Sequence, residues 1–417
     1  MHLVFLNQYY PPDLAPTGTM LKDLAERLVE DGHEVTILCG SGGYTASGGS
    51  RYEGEVFGEE GGGVRVERVR ATRFGRGTHV ARVADYAGYY LAVAWRLMWM
   101  RSEPDRIVAL TTPPFLSVLA RLMSKLRGGD HAHWVMDLYP DVLVSHGMIQ
   151  ADGLMAGILR AMARWGFGGK RCGAVLSLGP DMARRVGEYL EAGKESLLVP
   201  LWATAVETVS ERERLEWRGA RGWGERELVV LYSGNMGLGH RFAEFLGAAE
   251  QLAEEVSDAG KDVRFVFTGG GKRKGEIEAF VAKYPDGLVD VGDYVPFEDL
   301  AVHLASADLH LVSLEPVWDG VMVPSKLQGI FAMGGPVLFV GSPTCSIGEW
   351  VSESEGGWVV QPGDVDGVVS AIREAAQPGE GSRRGANARE FAGANFSRET
   401  NTRRLSVVFG EGSIGPP

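Results

Sequence analysis

The chain has 417 residues, 45% of them apolar and 23% charged, which is ordinary for a globular protein and long enough for two cores of roughly 200 residues each. Its formal charge is −12, with 22 basic and 22 acidic residues in positions 1–200 against 20 and 32 in positions 201–417, a balance that argues against general nucleic-acid binding. Three scattered cysteines, Cys39, Cys172 and Cys345, offer neither a disulfide framework nor a metal cluster, and no run of 18 clean apolar residues or basic leader is present, so the expectation is a cytoplasmic protein without a transmembrane helix.

Residues 2–7 predict a buried strand that runs into a Pro-rich loop over 8–18. A helix follows over 19–31, with Leu21, Leu24, Ala25 and Leu28 on one face, and then a strand over 33–39. In an open α/β sheet, ligands bind beyond the carboxyl ends of the strands, where this first loop lies. Gly18 reads as a helix-start glycine that lets a substrate approach the backbone; a plain turn glycine is the alternative. The Gly- and Ser-rich residues 40–63 read as a mobile loop, and 64–70 as an edge strand. Residues 80–100 predict a helix with a stripe of Val83, Tyr86, Tyr90, Val93, Leu97 and Met100. Trp95 and Trp99 lie off that stripe near Arg96 and Arg101. Two readings stand for this helix: a membrane-surface helix spanning 80–101, or a core helix with solvated arginines.

Strands over 105–110 and 133–136 and helices over 115–126 and 154–167 continue the alternation. Asp137, at the end of its strand and ahead of Pro140, is the preferred carboxylate of this half; a turn or cap role is the alternative. A strand over 174–178, a helix over 181–190 and a strand over 196–200 complete a parallel sheet covered on both faces.

Residues 201–227 read as the connection to a second α/β unit, which opens with a strand over 228–232. Gly234, Asn235, Gly237, His240 and Arg241 follow before a helix over 242–256. Glycines between a strand and a helix let backbone N–H groups approach an anion, and His240 and Arg241 supply charge there. A strand over 263–268 leads to Gly269 and a basic run, read either as a phosphate contact or as a solvated loop. Asp293, Tyr294 and Val295 end the next strand, over 289–291, and a helix over 300–306 follows. The strand over 309–314 enters the stretch that organises the chain, Glu315 to Pro336. There Pro324 suits a first helical turn, and Ser325 and Lys326 stand where free N–H groups and the helix dipole favour an anion. A lysine in that turn opposes the dipole unless a phosphate binds. Two cationic anchors, His240/Arg241 and Lys326, converge on one diphosphate in this reading. Residues 337–340 form a strand, 365–376 and 386–409 are largely helical, and 377–384 is a loop.

Five motifs recur in an order and spacing that resembles the GT-B glycosyltransferases of the family-4-like retaining class, in their bacterial surface-polysaccharide (WbuB-like) subgroup. They are Asn7-Gln-Tyr-Tyr-Pro-Pro-Asp13 with Gly18, Thr111-Thr-Pro-Pro114, Asp137-Leu-Tyr-Pro-Asp141, Tyr232-Ser-Gly-Asn-Met-Gly237 and Pro324-Ser-Lys326. The resemblance covers nearly the whole chain. It implies an α/β fold of two Rossmann-like domains facing each other. Residues 1–200 would bind the acceptor and 201–395 the nucleotide sugar, with 396–417 packing back on the first domain. It assigns Ser325 and Lys326 to the donor diphosphate, with Gly18, Gly234, Asn235, Gly237, His240 and Arg241. Asp293, Tyr294 and Val295, with Gly269, go to the base and ribose.

The chain departs from the family at its pair of glutamates separated by seven residues: Val321 and Gly329 occupy those places. Asp319 is the nearest carboxylate left to reach the donor sugar, and with Asp137 it completes the catalytic set. The implied reaction is metal-independent transfer of a hexosyl unit from an NDP-sugar, expected to be a UDP-sugar, to a hydroxyl acceptor, with no cofactor. The implied acceptor is a glycan or polyprenyl-linked saccharide at the inner face of the plasma membrane. A non-hydrolysing UDP-sugar 2-epimerase and a catalytically silent nucleotide-sugar scaffold are the alternatives.

Overall fold

The computed structural model describes residues 1–13, 15–40, 63–69, 79–203, 208–224, 226–254, 263–284 and 289–411, with backbone alone for 79–82 and 254. The expected loop over 40–63 lies almost wholly outside them. The chain forms two compact units. One comprises Met1–Leu201, Gly320–Met322 and Arg398–Pro417, and the other Trp202–Asp319 and Val323–Ser397.

The first unit runs β1 (His2–Leu6), α1 (Pro16–Glu30), β2 (Glu34–Gly40), β3 (Val64–Val69), α2 (His79–Met98), β4 (Arg106–Ala109), α3 (Leu116–Arg127), β5 (Asp130–Trp134), α4 (Asp141–Ser145), α5 (Leu154–Phe167), β6 (Cys172–Ser177), α6 (Pro180–Gly187) and β7 (Leu197–Leu198). The strands pair in parallel in the order β3-β2-β1-β4-β5-β6-β7. Central strands such as β1 are buried at every residue, because helices cover both faces of a parallel sheet. Crossovers between parallel strands are right-handed, so the leftward path β1-β2 and the rightward path β3-β4-β5-β6 send their helices to opposite faces. Accordingly α2 packs on α3 and α3 on α5. Gly166 allows the closest α3–α5 approach: a Cβ there would lie 2.4 Å from the Ser117 hydroxyl.

The buried row of α2 is Tyr89, Val93, Leu97 and, just past its end, Met100. Val83, placed on the core stripe by spacing, is 65% exposed. The helix is rotated so that the Tyr89 hydroxyl reaches the Leu38 carbonyl beneath it, at 2.8 Å.

The second unit runs α7 (Glu211–Ala220), β8 (Leu228–Ser233), α8 (Ala243–Glu254), β9 (Val263–Thr268), α9 (Lys274–Lys283), β10 (Val289–Gly292), α10 (Leu300–Ala305), β11 (Leu309–Ser313), α11 (Lys326–Met333), β12 (Val337–Val340), α12 (Ser346–Ser354), β13 (Gly357–Val360), α13 (Val365–Ala375) and α14 (Glu380–Asn395). Its parallel sheet has the order β10-β9-β8-β11-β12-β13. Phe242, Phe245, Phe265 and Phe267 centre the core on one face. The sequence reading misses α9, α12 and β13, and it gives 377–384 as a loop where α14 in fact begins at Glu380. Gly379 there takes φ +83°, and the Glu380 carboxylate pairs with Arg383 and Arg384 to close the first turn.

The last helix, α15 (Arg398–Gly410), belongs to the first unit and packs on α1. Buried Arg106 anchors it. Its Nε and Nη2 reach the Asp130 carboxylate at 2.7 and 2.8 Å, and Nη1 donates to the Val408 and Phe409 carbonyls at 2.6 and 2.8 Å. A guanidinium thus satisfies carbonyls that the helix end leaves without partners.

Candidate functional site

Two loops of the second unit interlock at the carboxyl ends of β8 and β9. The Gly234 N–H donates to the Thr268 carbonyl at 2.8 Å, Met236 to Gly270 at 2.7 Å, and Arg273 to Met236 at 3.0 Å. This contact dictates the glycine at 269. It takes φ +136°, and a Cβ would fall 2.0 Å from the Gly234 carbonyl oxygen.

Lys326 stands beside that junction, at the first residue of α11. Pro324 and Ser325 precede it, and the Ser325 side chain makes no capping bond, so the first N–H groups of the helix are open to an anion. The Lys326 side chain folds over the Tyr232 ring, with Nζ 3.8 Å from its centroid and donating to its hydroxyl. The Tyr232 hydroxyl in turn donates to the Asn235 carbonyl at 2.7 Å. Gly234 makes room for this: a Cβ there would lie 2.8 Å from Lys326 Cε. Burial lowers the Lys326 ammonium from 10.5 to about 7.

A cavity of about 300 Å³ opens against Lys326. Ser233, Gly234, Thr268, Tyr294 and Ser325 bring polar groups to its lining. Phe297, Leu300, Leu304, Ile330 and Met333 make an apolar wall. Gly329 also lines it, with nothing within 4 Å of where its Cβ would be. Burial holds His310, another lining residue, at about 3, so Lys326 is the one lining side chain that carries positive charge near neutral pH. Cation, helix start and apolar wall together fit a small anionic ligand with a flat apolar part.

His240 and Arg241 do not supply the free charge expected of them. His240 is buried, its Nδ1–H donates to the Ser313 carbonyl at 2.8 Å, and burial together with the nearby Lys326 charge pushes its pKa down to about 3. It is neutral at physiological pH. Arg241 is held between two carboxylates, Glu244 and Glu315, with Nη1 2.6 Å from Glu315. Arg273 shares Glu315 at 3.1 Å. The convergence of two cationic anchors is therefore corrected to a single one, Lys326.

Asn235 contributes its carbonyl to the Tyr232 bond, and Gly237 turns the loop, accepting from the His240 N–H at 3.1 Å. Asp293 is exposed and paired with Lys274 at 2.5 Å, whereas its neighbours Tyr294 and Val295 face the cavity. Asp319 ends the short 3-10 turn Pro316–Trp318 of the second unit.

Asp137 and Gly18 belong to the first unit. Asp137 forms an isolated antiparallel bridge with Met322, and the Leu138 N–H donates to Val321 at 2.8 Å. Burial raises the Asp137 carboxyl to about 6. The tight approach at Gly18 is of the chain's own loop: a Cβ would sit 3.1 Å from the Tyr9 carbonyl. Tyr232, Phe297 and Met333 went unassigned in the sequence. Only Tyr232 lies in a motif, and there it reads as the last residue of a strand.

A model of the glycosyl transferase 4-like domain matches residues 17–234, and one of glycosyl transferases group 1 matches 227–377. The chain is a family-4-like glycosyltransferase. Among curated relatives, Escherichia coli (strain K12) WcaI, named a colanic acid biosynthesis glycosyl transferase, is 23% identical over 373 residues, covering 88% of this glycosyltransferase and 90% of WcaI. Among solved structures, sucrose-phosphate synthase from Thermosynechococcus elongatus superposes with a TM-score of 0.73 at 15% identity, covering 98% of each chain. Anabaena HepE in complex with UDP-glucose superposes at 0.68 and 13% identity, over 98% of this chain and 99% of that one. These likenesses show the GT-B fold with its two Rossmann-like domains. Among the described residues, no helix of the glycosyltransferase is long and apolar enough to cross a membrane.

Proposed function

We propose that this glycosyltransferase moves a hexosyl unit from a UDP-sugar to a hydroxyl acceptor with retained configuration, in the assembly of a cell-surface polysaccharide or glycolipid. The observation that carries it is Lys326, half-buried at the start of α11, packed against Gly234 and lining a cavity with an apolar wall. A nucleoside diphosphate needs that combination: N–H groups and a cation for the diphosphate, an apolar surface for the base. Support for the donor comes from HepE, solved with UDP and with UDP-glucose, and support for the pathway class from the name of WcaI.

In this mechanism the bond between the sugar's anomeric carbon and the diphosphate oxygen breaks, and UDP leaves with the bonding pair. The Lys326 ammonium and the first N–H groups of α11 stabilise the charge that develops. The acceptor oxygen bonds to the same face of the anomeric carbon, and its proton departs with the diphosphate. Ser325, Gly234, Asn235 and Gly237 hold the diphosphate through backbone and hydroxyl groups. Tyr294 and Val295 meet the base. Asp319 orients the sugar hydroxyls and Asp137 the acceptor. The positive charge comes from the chain, so turnover is expected to survive a chelator. A polyprenyl-linked acceptor would bring α2 to the inner face of the membrane.

The test is UDP release from a panel of UDP-sugars, with and without soluble and lipid-linked saccharide acceptors, followed by the anomeric coupling constant of the product. Acceptor-dependent release with the donor's configuration kept is the expected result. An isomerised donor without any acceptor would favour the 2-epimerase. UDP binding with no turnover against every acceptor would favour the scaffold.

A further inference from the structure

The first unit carries an apolar face that its own core does not use. On α2 the residues Val83, Ala87, Leu91 and Trp95, continued by Trp99, recur at a spacing of four and are all exposed, Leu91 by 72% and Trp95 by 69%. They run opposite the buried row of Tyr89, Val93 and Leu97, so α2 is apolar on both sides. On α5, Leu154 is 83% exposed, and Met155, Ile158 and Met162 follow it outward. Between these helices lies α3, which packs on both and exposes Leu122 and Leu126. Right-handed crossovers place all three on one side of the sheet. Singly exposed apolar side chains are ordinary, but three adjacent helices presenting them together are not.

The charges on these helices are mostly positive, with Asp85 on α2 and Asp152 just before α5 as the acids beside them. α3 carries Arg121, Lys125 and Arg127, α5 carries Arg160 and Arg164, and neither helix has an acidic residue. Over Val83–Met98 the acid is Asp85, and Arg96 is engaged by buried Glu67. Arg121 and Lys125 lie over the Trp165 ring, 4.5 and 5.2 Å from its centroid, which sets cations beside a partly exposed aromatic. This excess of positive charge decides between occupants. A second copy of the chain on a two-fold axis would set the cationic face against itself. An anionic lipid surface complements it, with Trp, Leu and Ile entering the headgroup boundary and Lys and Arg remaining among phosphates.

We infer that α2, α3 and α5 form a platform by which the protein docks on anionic bilayers, with the exposed residues of α5 inserting together with those of α2. This deepens the membrane contact of the proposed function and rests on that part of it alone. Donor binding belongs to the second unit and is read separately.

The experiment is co-sedimentation of the full chain with vesicles of phosphatidylcholine alone or of equal parts phosphatidylcholine and phosphatidylglycerol. It is repeated on Leu154→Glu/Ile158→Glu, Trp95→Ser/Trp99→Ser and Lys125→Gln/Arg164→Gln. UDP-induced thermal stabilisation is measured in parallel. The wild type is expected to bind the anionic vesicles, less so at high salt. Each apolar double variant should weaken that binding at least about tenfold, and the charge variant should lose about fivefold per cation removed. UDP stabilisation should be unchanged in all of them. The α2 variant carries the test if the α5 variant fails to fold. Wild-type protein that stays in the supernatant, or variants that bind as well as wild type, would overturn the inference. So would a wild-type dimer, by sedimentation velocity, that the apolar variants dissociate. Loss of UDP stabilisation in the wild type would count against the donor site and leave the platform standing.

Discussion

Raising the pH above 7 should weaken nucleotide binding, and the dependence should vanish in Lys326→Ala. Burial holds the Lys326 ammonium at about 7 in place of 10.5. At pH about 8, therefore, roughly nine molecules in ten carry the neutral amine. A diphosphate at the start of α11 places negative charge against that amine and favours its protonation. Binding at this pH draws in close to one proton. The dissociation constant then rises by up to about tenfold per pH unit, from about 7 until the pKa of the complex is reached. The ligand's own last phosphate ionisation, near pH 6, is by then complete. Calorimetric titration with UDP in two buffers of different ionisation enthalpy counts the protons. About one is expected for the wild type and about none for Lys326→Ala. No uptake in the wild type, or the same uptake in both, would refute the placement of the diphosphate on Lys326. In the ligand-free protein the sign reverses. The unfolded chain holds this proton up to about 10.5 and the folded chain only below about 7, so stability is lost as pH falls between those values. Lys326→Met should accordingly leave the free protein no less stable at neutral pH, as read by thermal melts.

Arg106→Leu removes a buried guanidinium and strands Asp130 and the last carbonyls of α15; a loss of about 3–5 kcal/mol in urea unfolding is expected. Gly269→Ala drives a methyl to 2.0 Å from the Gly234 carbonyl and strains a positive φ, so stability should drop by roughly 2–4 kcal/mol and UDP binding should weaken with it. Gly329→Ala, inside α11 with open space around it, should instead stabilise by about 0.5–1 kcal/mol in the same assay.

Periodicity exposes elements that bury one continuous run. The expected bounds of α5, β9 and β12 coincide with the observed ones because their apolar residues are contiguous or helically spaced and end at glycines or charged residues. α9 fully buries only Ile277, with Phe280 and Val281 partly buried beside it, a short stripe that follows directly on the glycine-rich basic run. α14 hides because its first turn is Gly, Ser and Arg, residues that read as loop until Glu380 pairs with the arginines. At the site, Pro324-Ser325-Lys326 advertises a helix start by local chemistry alone. The neutrality of His240 does not, since it depends on burial of the ring and on the charge of Lys326, far along the chain. The engagement of Arg241 is equally nonlocal, because Glu315 lies in a different strand–helix connection. The rotation of α2 was missed because both of its faces are apolar, and spacing alone does not say which one meets the sheet.

The most direct measurement is thermal stabilisation by UDP, compared with GDP, ADP and TDP, on the wild type and on Lys326→Ala. At about 100 times its dissociation constant a ligand adds about 2.7 kcal/mol. A shift selective for UDP that shrinks in the variant is the predicted result. No shift with any nucleotide, or a UDP shift of equal size in Lys326→Ala, would contradict a nucleotide-sugar site at the start of α11.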